Sequence, residues 1–133
     1  MSERKEMIIE WKKKFQLEAS RRGLTVIADQ PKEDGGDDTG FSPVELLVTS
    51  LGTCIGYYAL VFLERRKIDP NGLKIKMSWE YGENPLRVAK ISVEISLDAK
   101  LDDHQRSGLL KITRGCTVHN TLTHAPEISV AMG

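Results

Sequence analysis

The chain has 133 residues, 40% of them hydrophobic and 29% charged, and its 19 basic and 19 acidic side chains give a formal net charge of zero. That length suits one domain with a core of its own, although so small a chain gains stability from a partner subunit. Charges of both signs are interspersed, which excludes the basic footprint of a nucleic-acid binder or of a protein held on an anionic membrane.

The opening MSERKEMIIEW is charged and has neither an apolar run nor a small-residue cleavage site. No secretory leader is expected, and a cytoplasmic, reducing setting follows. In MIIEWKKKFQLEA apolar and charged residues roughly alternate, with Trp11, Phe15 and Leu17 on one parity, which predicts a single half-exposed strand. SRRG reads as a turn into a second strand, LTVIAD, closing a hairpin. The polar, glycine-rich QPKEDGGDDTGF is a loop.

Ser42, Pro43, Val44 and Glu45 have the order of an N-cap, a first-turn proline and a capping-box glutamate, so a helix starts there. From Leu46 to Leu63 no residue is charged. A membrane span is rejected because Thr49, Ser50, Gly52, Thr53 and Gly56 dilute the stretch, Glu45 and Glu64 flank it, and helices apolar all round also fill soluble cores. Gly52 and Gly56, one turn apart, suit close packing against another backbone. KIDPNG ends this helix.

Leu73, Ile75, Met77, Trp79 and Tyr81 alternate with polar residues, and after the turn GENP so do Ile91, Val93, Ile95 and Leu97, predicting an antiparallel hairpin. Asp102 and Asp103 cap a second helix with Leu109, Leu110 and Ile112 toward the core, and Gly115 interrupts it. Cys116 stands where a short helix, TVHNTL, begins, and APEISVAM is expected to close the fold as a strand. The order ββ, α, ββ, α, β indicates one α+β domain over residues 1–133, with antiparallel sheet and segregated helices.

The chain has two cysteines, Cys54 and Cys116. In a reducing compartment they are two buried thiols, a metal site or a redox pair rather than a structural disulfide. Taken alone, Cys54 in the uncharged helix reads as an inert buried thiol. Cys116 reads as the more activated one, since a helix start and nearby Arg114 and His119 favour thiolate. Cys54, Cys116, His119 and His124 make a poor zinc set, because structural zinc ligands come in close pairs on turns. DGGDDTG lacks the lysine and setting of a phosphate cradle, and no serine stands in a G-x-S-x-G context.

GGDDTGFSPVELLVTSLGTC followed much later by GCTVHNTL is similar to the paired cysteine signatures of the OsmC/Ohr family, the osmotically induced and organic-hydroperoxide-resistance proteins. The resemblance covers nearly the whole chain. It implies an intertwined homodimer of α+β subunits around a long central helix, active sites at the subunit boundary, and no metal, haem or flavin cofactor. The implied activity is thiol-dependent hydroperoxide reduction. Cys54 would be the peroxidatic thiol, Cys116 the resolving one, and a dithiol of the lipoyl type the reductant. By the same resemblance Glu45 and Arg22 are candidate catalytic residues.

Two departures stand out. The family's hydroperoxide reductases carry the glutamate directly after the proline, where this chain has Val44, and one residue is about 100° around a helix. Glu45 therefore also reads as a cap alone. The arginine that steadies the thiolate has Arg21 and Arg22 as candidates, beside a KKK run. These features resemble the broader OsmC-like branch and suggest weak activity. The alternative is non-enzymatic: a redox sensor, or a protein binding a small apolar ligand in the same pocket.

Overall fold

The computed structural model describes residues 3–133; the first two residues of the start read above for a leader lie outside them. The chain forms two compact units, divided between Leu47 and Val48.

The first unit carries β1 (Ile8–Lys13), β2 (Gln16–Arg21) and β3 (Leu24–Ala28), an antiparallel sheet in that order. The single strand expected across MIIEWKKKFQLEA is thus two strands. The chain reverses at Lys14, whose φ of 47° lies in the left-handed region, and Trp11 Nε1 donates to the Lys14 carbonyl at 2.8 Å. A two-residue turn alone would set odd residues opposite even ones, but the register shift between Trp11 and Lys13 brings Trp11 opposite Leu17, so one parity runs through both strands and alternation alone does not separate one long strand from a hairpin. The second reversal has two consecutive positive φ values, 54° at Arg22 and 76° at Gly23, between the paired Arg21 and Leu24. That is the turn whose twist matches the strands it joins.

The acidic loop that follows is organised by one carboxylate. Asp29 is buried and accepts from the Gln30 N–H at 2.7 Å, the Thr39 N–H at 3.1 Å and the Thr39 hydroxyl at 2.5 Å. The hydroxyl contact, ahead of the two backbone donors, holds the carboxyl below the usual aspartate range against the cost of desolvation. A Cβ at Gly36 would collide with the Gln30 carbonyl, so the loop closes only with glycine there.

Helix α1 (Pro43–Arg65) starts with the expected capping box: the Ser42 N–H donates to Glu45 Oε1 at 2.9 Å and the Glu45 N–H to Ser42 Oγ at 3.3 Å. By length and composition α1 could cross a bilayer, yet 39% of its most apolar stretch is buried inside the protein. In the second unit β4 (Lys74–Gly82) and β5 (Arg87–Ser96) form the expected antiparallel pair, with Ile75 opposite Ile95, Met77 opposite Val93 and Trp79 opposite Ile91. Their half-buried faces meet α1. Helix α2 (Asp103–Thr113) has a full capping box between Asp102 and Gln105, and α3 (Thr117–Thr123) follows with Cys116 as its N-cap.

One core cluster joins Ala59, Phe62 and Leu63 of α1 to Leu109 of α2, with Ile95, Leu97 and Ile112 packed around it. Leu110, expected in this core, is 43% exposed, because Leu109 and Ile112 already occupy the inward side of this short helix. The closing strand is also corrected. Residues 125–133 have no regular structure, and neither sheet pairs with them. Alternating apolar residues become a strand only when an edge takes their hydrogen bonds, and among the described residues no strand pairs with these. The architecture is α+β, with two antiparallel sheets and one long helix.

Candidate active site

Both cysteines belong to the second unit, and the fold brings them together. Cys54 lies midway along α1 and Cys116 ends the turn between α2 and α3. Both join one apolar cluster with Leu51, Ile55, Tyr58, Ile75, Met77, Ile91 and Val118. The reason is local in each case. Leu51, Cys54, Ile55 and Tyr58 recur at the three- and four-residue spacing that shares one helix face. After α2, the Gly115 N–H returns to the Ile112 carbonyl at 3.2 Å and the Cys116 N–H to the Thr113 carbonyl at 3.4 Å, a turn at which the Cys116 side chain is enclosed.

The two thiols are unequal. Both are free, Cys54 half-buried and Cys116 fully enclosed, at 0% exposure. Cys116 Sγ caps α3 by accepting the His119 N–H at 3.3 Å. Burial pushes the Cys116 thiol up from its ordinary range, the Cys54 sulfur acts in the same direction, and the His119 N–H opposes both. The reading of Cys116 as the activated thiol is thereby corrected. A helix of 7 residues offers a few N–H groups, and here the cost of enclosing a charged sulfur outweighs them.

The other two predicted site residues belong to the first unit. Glu45, exposed on the first turn of α1, spends its carboxylate on the Ser42 N–H. Arg22 is the exposed tip of the β2–β3 turn in the first unit. Tyr58, which the sequence reading passed over, is half-buried beside Cys54, and its hydroxyl lies 3.4 Å from Thr117 Oγ1 at the start of α3. Its position four residues after Cys54 was the available signal. Among the described residues no three His, Cys, Asp or Glu side chains are grouped to hold a metal ion.

On another side of α1 an open apolar groove of about 480 Å³ runs between Gly52, Gly56, Tyr57 and Leu60 of the helix and Ile75 and Met77 of β4. Gly52 makes this approach possible, since a Cβ there would stand 3.2 Å from Met77 Cγ and Sδ.

Residues 35–131, which include both cysteines, match the family model described as OsmC-like protein. The chain belongs to the OsmC-like family. A protein from Psychrobacter arcticus 273-4, named for osmotic stress induction and a detoxification response, has the same fold with a TM-score of 0.81 at 21% identity, over 91% of this chain and 90% of that one. An OsmC-like protein from Mycoplasma pneumoniae gives 0.78 at 18% identity, over 94% and 91%. An organic hydroperoxide resistance protein from Legionella pneumophila gives 0.61 at 16% identity, over 91% of each chain. Comparison with curated protein sequences gives no match. The fold around the two thiols is thus the OsmC-like one.

Proposed function

We propose that this OsmC-like protein is a thiol peroxidase of hydroperoxides, with Cys54 peroxidatic and Cys116 resolving. The observation that carries the reading is the meeting of a half-exposed and a fully enclosed thiol in one apolar cluster. The accessible sulfur can meet a substrate, and the enclosed one can meet only the first. Cys54 attacks the O–O bond, taking one oxygen as a sulfenic acid while the other leaves with a proton as alcohol or water. Cys116 then displaces water from that sulfenic acid to form a disulfide, and an external dithiol, lipoyl-type by family resemblance, returns both thiols while becoming a disulfide itself. Arg22 and Glu45 are secondary candidates in this scheme, which suits a cytoplasmic, reducing setting and needs no cofactor.

The working unit is a homodimer of single OsmC-like domains. Its support is unused apolar surface: the groove on α1, Tyr57 at 63% exposure, and the alternating Ile128, Val130 and Met132 at 80%, 93% and 98%. A second copy would cover the groove and give the tail a sheet edge. Light scattering at micromolar concentration checks it, and a stable, fully active monomer would refute it. Consumption of cumene hydroperoxide with dihydrolipoamide checks the activity. Steady turnover supports a peroxidase, whereas one equivalent consumed and then none replaces it with the redox-sensor reading.

A further inference from the structure

Three residues after Cys116, in α3, stands a polar atom with no evident use. His119 Nδ1 is buried and has no hydrogen-bond partner among the described residues. Such atoms are few in folded proteins, because an unused donor or acceptor costs its desolvation. His119 is also at the third position of α3, whose N-cap is Cys116, and its N–H already rests on Cys116 Sγ. A side chain at this position is the one that reaches back toward the cap.

The apolar cluster around Cys116 holds Ile75, Met77, Ile91 and Ile95 of β4 and β5, and the titratable Cys54 and Tyr58 of α1. Arg114, just before the turn, is exposed, and the His124 ring is engaged by the Asn120 carbonyl and the Thr123 hydroxyl. A fully enclosed thiol has no solvent water to take its proton. Yet thiolate, not thiol, is the attacking species.

We propose that His119 is the proton acceptor of Cys116, drawing its proton onto the imidazole as the sulfur attacks Cys54. The inference rests on the pairing of Cys54 with Cys116 argued above. From the sulfenic acid, the Cys116 S–H proton moves to His119 and the new S–S bond displaces hydroxide from Cys54. That hydroxide leaves as water with the same proton. The Cys54 sulfur is reduced by the step, the Cys116 sulfur is oxidised, and no further reagent is consumed. An imidazole is the side chain most often used for such a proton transfer.

The test separates this role from peroxide chemistry by using dithiobis(nitrobenzoate). The reagent forms a mixed disulfide at accessible Cys54 and releases one nitrothiolate. Attack by Cys116 then releases a second, and the second phase times the closure. Wild type should release both, the second faster as pH rises through neutrality. His119→Asn and His119→Gln should keep the first phase, slow the second about 100-fold at neutral pH, and move its rise to the alkaline range of the thiol itself. Circular dichroism identifies which variant is folded. Closure at the wild-type rate and pH profile in a folded variant overturns the proposal, as does a wild type that releases only one equivalent. If closure behaves as expected while hydroperoxide is not consumed, the peroxidase reading falls and the role of His119 stands.

Discussion

Gly52 gives the most quantitative check on how α1 meets β4. Replacing it with alanine has two opposing effects. In a helix interior alanine is favoured over glycine by about 0.8–1 kcal/mol. Against this, the new methyl would sit 3.2 Å from both Met77 Cγ and Sδ and 3.8 Å from Cε. Carbon contacts are comfortable at about 3.5–4 Å, so Met77 has to withdraw by a few tenths of an ångström. A flexible thioether can do so at the lower end of the roughly 1–3 kcal/mol that overpacking costs. The two effects nearly cancel, and Gly52→Ala alone should lie within about 0.5 kcal/mol of wild type in urea unfolding. In a Met77→Ala background the clash is absent and the same change should stabilise by about 1 kcal/mol, a coupling that a double-mutant cycle measures directly. Each variant is compared at matched protein concentration, since association would shift the midpoint. Equal effects of Gly52→Ala in both backgrounds would refute the argument that Met77 is what keeps this position a glycine.

Cys54→Ser should abolish peroxide consumption, whereas Cys116→Ser should react once and leave a sulfenic acid that dimedone traps; the reverse pattern, read by mass spectrometry, exchanges the two roles. Leu63→Ala, at 0% exposure amid Ala59, Phe62 and Leu109, should cost about 2–5 kcal/mol in urea unfolding. Asp29 has its pKa lowered in the folded chain, so its stabilisation is complete above the ordinary aspartate range and disappears as pH falls through the depressed value. Asp29→Asn should flatten that part of the acid unfolding curve, and an unchanged curve rejects the loop anchor. At neutral pH iodoacetamide should label Cys54 well before Cys116, whose burial both shields it and keeps it protonated.

What the sequence disclosed depended on how local the cause was. The Ser42–Glu45 capping box and the cap at Asp102 are written within four residues and appear as read, while the Gln105 half of the second box shows only in the structure. The β4–β5 pairing follows from strict alternation ending at a turn. The reversal at Lys14 was hidden because the register shift between Trp11 and Lys13 restores the parity that a two-residue turn switches. The tail from Ala125 carries a strand's pattern, but pairing is a property of two edges, and pattern describes only one. Cys116 failed for a related reason. Its helix-start position is local and visible, while the enclosure that decides its protonation comes from α1 and the β4–β5 hairpin.

The sulfur of Cys116 holds the first turn of α3 by accepting the His119 N–H, in a helix only 7 residues long. So short a helix has little stability of its own and leans on its cap. A disulfide to Cys54 would engage that sulfur in a second bond and reorient it about the new S–S axis. The chemical event and the loosening of a structural fastener would then be one motion, and slow amide exchange at His119 in the reduced protein would quicken on oxidation. The backbone of α3 would report the oxidation state of the molecule.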